Sequence, residues 1–120
     1  ENWRLANKHN DKIASDSSNP INFIERYCSP LGVSKEIKHI AEFISVKAII
    51  NMLVDDNTAP SIAAGSIYLA CNLCNVGINK NTVATSCKIS AVTISKCFKK
   101  LYEYRLILLP KSIIKKYNIR

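Results

Sequence analysis

At 120 residues with 48% hydrophobic side chains, the chain is long enough for one domain with its own core and too apolar for wholesale disorder. Three glycines, four prolines and few alternating apolar and polar runs point to helices rather than strands. The net charge of +8 is regional: residues 1–60 carry seven Lys or Arg against eight Asp or Glu, a net −1, while residues 61–120 carry ten against Glu103 alone, a net +9. Such a one-sided excess favours a polyanionic partner, nucleic acid first and an anionic membrane surface second, over a merely solubilising lysine surface.

Five cysteines, four of them in apolar surroundings, read as buried free thiols of a reducing compartment rather than a disulfide framework. Cys71 and Cys74 form a C-x-x-C without a second pair, and only His9 and His39 could complete a zinc or redox site. No cofactor or metal is therefore expected. The polar, charged N-terminus does not resemble a secretory signal.

Residues 1–18, ENWRLANKHNDKIASDSS, begin as a helix-compatible run with Trp3 and Leu5 and then turn polar. They read as the tail of a preceding helix and a linker. Asn19 and Pro20 are a cap and a first-turn proline for a helix through Leu31, with Phe23, Ile24, Tyr27 and Cys28 inward and Pro30 and Gly32 ending it. Ser34 caps a second helix with Glu36 in its first turn, against the positive end of the dipole. Ile37, Ile40, Ala41, Ile44, Ala48 and Met52 make one apolar stripe. Phe43, Val46, Ile50 and Leu53 make another, so this helix is expected to touch neighbours on two sides.

Asp55-Asp56-Asn57 breaks the second helix. From Pro60 to Asn75 runs PSIAAGSIYLACNLCN, within 23 residues that carry no formal charge. Apolar all round and small at its centre, it belongs inside a bundle, where other helices approach closely. Polar interruptions from Asn57 to Asn75 keep its apolar runs far short of the roughly 20 residues of a bilayer span. Val76 and Gly77 are expected to close it.

Asn79 or Asn81 caps a short fourth helix with Val83, Ala84 and Cys87 inward and Lys80 near its start. Lys88-Ile89-Ser90 is a tight connection, and Ser90 caps a fifth helix to about Leu108 with Ile94, Cys97, Phe98, Leu101 and Leu108 buried and Pro110 stopping it. Short helix, turn and longer helix make a helix-turn-helix pattern, which an ordinary helical hairpin shares. The outward face of the fifth helix weighs toward DNA: Val92, Ser95, Lys96 and Lys99 are short near its start and basic one turn later. A helix entering a major groove needs that order, base edges first and phosphates after. Residues 111–120, KSIIKKYNIR, form a basic C-terminal tail, either docked through Ile113, Ile114 and Tyr117 or free to seek phosphate.

Three segments carry a family resemblance. Phe23-Ile24-Glu25-Arg26-Tyr27-Cys28, Pro60-Ser61-Ile62-Ala63-Ala64-Gly65-Ser66-Ile67-Tyr68-Leu69-Ala70, and Ala91-Val92-Thr93-Ile94 with Leu109-Pro110 resemble the second cyclin-like repeat of transcription factor IIB and its archaeal relatives. The resemblance implies an all-α fold, a five-helix cyclin-like repeat at 19–110 with a helix-turn-helix formed by helices 4 and 5. Residues 1–18 would then be the end of a preceding repeat and a linker.

It also implies binding to double-stranded promoter DNA together with the TATA-box-binding protein, beside the TATA box, and to RNA polymerase indirectly through regions this chain lacks. The candidate DNA-binding residues are Lys80, Lys88, Ala91, Val92, Ser95, Lys96 and Lys99. Val92 matches a base-contacting valine of the family, while Ser95 stands where the family has an arginine, so either the sequence preference is altered or weak, or Lys96 and Lys99 provide mostly phosphate affinity. The rival function is a cyclin-like protein-interaction module that never touches DNA. Catalysis is not expected, since no paired carboxylates lie near a histidine and no Gly-rich phosphate loop is present. Localisation is expected to be intracellular, in the nucleus or, for a viral protein, at a cytoplasmic site of transcription. Heavy use of Ile (17), Asn (12) and Lys (13 against four Arg) suggests an AT-rich genome such as that of a large DNA virus or a protist.

Overall fold

Side-chain oxygens set where the five main helices begin. In the computed structural model, which describes residues 19–120, Asn19 Oδ1 accepts from the Ile21 amide at 3.0 Å and opens α1, Pro20–Leu31. Ser34 Oγ does the same for α2, Lys35–Ile50, by accepting from Ile37, and Thr58 Oγ1 opens α3, Ala59–Leu73, by accepting from Ser61. Asn79, rather than Asn81, caps α4, Lys80–Cys87, and Ser90 caps α5, Ala91–Glu103. Two short helices follow, α6 at Arg105–Leu108 and α7 at Lys111–Lys116. The described residues are all-α, without a strand. The expected linker at 1–18 lies outside them.

α3 is the axis of the bundle. Every residue from Ser61 to Ile67 is buried, as are Leu69, Ala70 and Cys71, and α1, α2, α4 and α5 all pack on it. A helix buried on every side needs small side chains where its neighbours cross, and Ala63, Ala64, Gly65 and Ser66 supply them. Around it Ile24, Ile44, Ile94, Leu101 and Leu108 are fully buried, each stabilising the fold by roughly 1.5–3 kcal/mol. The Ser66 hydroxyl is buried without a hydrogen-bond partner among the described residues.

All five cysteines are buried and unbridged. Burial pushes the Cys71 and Cys87 thiols up to about 12 and those of Cys28, Cys74 and Cys97 up to about 11. The thiolate that metal ligation or disulfide exchange requires is thereby disfavoured. No described helix is long and apolar enough to cross a membrane.

Four sequence expectations are corrected. Pro30 lies inside the last turn of α1, and Gly32 alone ends the helix, at φ 67° with its amide on Cys28 and Ser29. A proline in a last turn forfeits one hydrogen bond, which left-handed glycine capping outweighs. α3 ends at Leu73 rather than at Val76-Gly77, because Asn75 takes the left-handed conformation at φ 63° and Val76 donates back to Cys71. Met52 is beyond the end of α2 at φ 58° and 74% exposed, and of the second stripe Phe43 and Ile50 also face solvent. One face of α2 thus meets the core while much of the other lacks a neighbour among the described residues.

The fifth helix does not reach Leu108. It stops at Glu103, turns at Tyr104 and re-forms as α6, which packs on α2 and delivers Leu108 and Leu109 to the core. Pro110 then opens α7 instead of closing a long helix. The tail is docked: Lys116 Nζ and Tyr117 Oη both reach the Glu36 carboxylate at 2.6 Å, with Ile113, Ile114 and Tyr117 against the core.

Candidate nucleic-acid interface

α4 and α5 are joined by Lys88, Ile89 and Ser90. Lys88 takes the left-handed conformation at φ 57°, its amide closes α4 on the Ala84 carbonyl, and Ile89 donates to the same carbonyl. Ser90 immediately starts α5 by accepting from the Thr93 amide and donating to the Thr93 hydroxyl. Val83 and Cys87 from α4 and Ile94, Cys97 and Leu101 from α5 face inward. With its hydrophobic stripe taken by the core, α5 turns its other face outward.

On that outward face Val92 is 64% exposed, and Lys96 and Lys99 are exposed as well. Lys88 is exposed at the connection, while Ala91 is half-buried at the start of α5. None of Lys88, Lys96 and Lys99 forms an ion pair among the described residues. Their charges stand open to solvent, and Val92 lies one turn N-terminal to Lys96 and two turns N-terminal to Lys99. A large exposed valine on a basic face is suited to a thymine methyl or base edge, with ammonium groups suited to phosphates.

Lys80 and Ser95 are brought together. Both are half-buried, and Lys80 Nζ donates to Ser95 Oγ at 2.6 Å, linking the first residue of α4 to the middle of α5. Lys100, adjacent in sequence to Lys99, points elsewhere: its ammonium is held by Asp56 at 2.5 Å and Asn57 at 2.9 Å. Of the two neighbouring lysines, Lys99 is the one without an acidic partner among the described residues.

One group escaped the sequence reading. Asn81, Thr82, Thr85 and Ser86 line a shallow polar depression on the outside of α4. Short hydroxyl and amide side chains are frequent phosphate contacts, and a first helix crossing the backbone would use them. Their signal was the spacing of polar residues at 81, 82, 85 and 86 around inward Val83 and Cys87.

A family model described as Transcription factor TFIIB repeat matches residues 13–104. The chain is similar to a transcription initiation factor IIB-like protein of Acanthamoeba polyphaga mimivirus, 35% identical over 94 residues that cover 78% of this chain and 20% of that protein. It is also similar to transcription initiation factor IIB of Dictyostelium discoideum, 32% identical over 73% of this chain and 27% of the relative. Transcription initiation factor IIB of Sulfurisphaera tokodaii is 25% identical over 98% of this chain and 38% of its own length. The chain therefore spans between a fifth and about two fifths of these relatives.

Proposed function

This chain belongs to the transcription factor TFIIB repeat family, and we propose that it is a promoter-binding domain of a transcription initiation factor, acting as the second cyclin-like repeat at 19–110. It binds double-stranded DNA beside a TATA box, together with the TATA-box-binding protein, and α4 and α5 act as a helix-turn-helix. The observation that carries this reading is the outward face of α5, where exposed Val92, Lys96 and Lys99 lie without acidic partners among the described residues, in the half of the chain that bears +9. α5 enters the major groove with Val92 against a base edge. Lys88, Lys96 and Lys99 neutralise phosphates, assisted by the polar outside of α4.

The mechanism is non-catalytic: affinity comes from phosphate neutralisation and position from the rigid packing of α5 on α3. RNA polymerase is reached indirectly, through parts of the relatives that this chain does not span, at an intracellular site of transcription. A protein partner is favoured by a separate observation, the exposure of Phe43, Ile50 and Met52 at α2 and of Leu106 and Ile107 on α6. Those side chains support a cyclin-like protein-interaction surface alongside the DNA face.

The test is the salt dependence of duplex binding, with TATA-box-binding protein present. Phosphate contacts from these three lysines give a slope of log affinity against log salt of about −3. Affinity that stays flat between about 50 and 200 mM salt excludes the proposal.

A further inference from the structure

We infer that Lys80 and Ser95 form a single reading unit, a pair of adjacent hydrogen-bond donors that selects guanine in the bound DNA; this rests on the DNA-binding reading above. The pair joins two helices across 15 residues of sequence, with Lys80 Nζ donating to Ser95 Oγ at 2.6 Å. An ammonium has three protons and no lone pair, whereas a hydroxyl has one proton and two lone pairs. With one lone pair of Oγ taken by Lys80, the hydroxyl proton is not used in that bond and is left to donate. Two ammonium protons remain beside it. The unit presents donors at both atoms.

Its position fits that use. Ser95 is one residue before exposed Lys96 and three after Val92, on the outward face of α5. Lys80 makes no ion pair among the described residues, so its charge is undiminished toward a polyanion. Both residues are half-buried, which costs less side-chain freedom on binding than ordering an exposed lysine. Among the four bases, guanine alone offers two neighbouring acceptors, N7 and O6, in the major groove. Adenine sets its N6 donor beside N7, cytosine offers the N4 donor, and thymine has a methyl beside its single O4 acceptor.

The experiment is a selection of bound sequences from random duplexes by the full chain, alone and with TATA-box-binding protein, followed by affinities for the selected site and its single-base variants. The wild type selects one guanine whose replacement by adenine weakens binding roughly tenfold. Lys80→Met and Ser95→Ala each erase that preference. Lys88→Met, by contrast, weakens all duplexes by a common factor. Lys80→Met combined with Ser95→Arg restores the guanine preference, because one guanidinium carries both donors. Retained preference in Lys80→Met, or a loss uniform across sequences, overturns the reading unit and leaves DNA binding intact. Selection of no guanine by a wild type that binds DNA has the same meaning. A wild type that binds no duplex at all overturns the proposed function with it. Unfolding midpoints of the variants separate misfolding from lost reading, and Ser95→Ala serves as the second probe should Lys80→Met fold poorly.

Discussion

A Cβ atom on Gly65 would lie 2.9 Å from Cys97 Sγ and 3.1 Å from Cys97 Cβ, so α3 and α5 cross through a glycine and a thiol. That crossing fixes the depth at which α5 sits in the bundle. It also fixes how far Val92, Ser95, Lys96 and Lys99 project from it.

Gly65→Ala is therefore expected to destabilise the fold by roughly 1–3 kcal/mol, since the added methyl overpacks a site with no space for it. Helix propensity alone would predict a gain of about 1 kcal/mol, so the sign is diagnostic. Combining Gly65→Ala with Cys97→Ala removes the clashing sulfur and recovers part of the loss. Denaturant unfolding of the two single variants and the double variant measures the coupling. A stabilised Gly65→Ala contradicts the crossing.

Charge reversal separates the proposed DNA face from the protein-interaction alternative. Lys96→Glu with Lys99→Glu is expected to abolish duplex binding while leaving the unfolding midpoint nearly unchanged, because both side chains are exposed and without acidic partners among the described residues. Lys100→Glu tests something different. It breaks the contacts to Asp56 and Asn57 and is expected to affect stability before DNA affinity. Anisotropy titrations beside thermal melts distinguish the two outcomes.

Lys88 carries backbone strain where the proposed interface asks for charge. At φ 57° an L-residue costs roughly 1–2 kcal/mol that glycine does not, partly offset by the greater unfolded freedom of glycine. Lys88→Gly should raise stability by roughly 0.5–1 kcal/mol and lower DNA affinity uniformly across sequences. A variant that gains stability at no cost in affinity would remove Lys88 from the interface.

Docking of the tail depends on pH through Glu36. The Lys116 ammonium first, and then the Tyr117 hydroxyl, hold the Glu36 carboxyl below the usual carboxylate range. A depressed acid stabilises the docked state above its unfolded value and loses that contribution as pH falls through its folded value. In return Glu36 raises Lys116 and Tyr117, so their share is present below their ordinary values and is lost only in strong base. The α7 amides are expected to stay protected from hydrogen exchange through neutral pH and to lose protection in acid. Glu36→Gln should flatten that acid step, and an unchanged step would assign it to another group.

Much of this was legible in the chain because its causes are local. Asn19, Ser34 and Ser90 cap helices two or three residues away, and the buried stripes of α1 and α5 follow from a period of 3.6. The small residues of α3 announced a central helix. The outward positions of Val92, Lys96 and Lys99 follow from the same helical spacing that buries Ile94, Cys97 and Leu101.

Other features join residues far apart, and local pattern cannot choose among such pairings. Periodicity marked Phe43 and Ile50 as an apolar stripe, but only packing shows that both stay exposed. α5 ends at Glu103 because a turn at Tyr104 lets α6 reach α2, a contact more than 50 positions distant in sequence. Glu36 meets Tyr117 across 81 residues, and Lys80 meets Ser95 across 15. The sequence by itself determined which segments become helices and which faces turn inward, since backbone capping and hydrophobic spacing act within a few residues. Tertiary structure decided which polar groups share a partner, since that depends on where separate helices come to rest against one another.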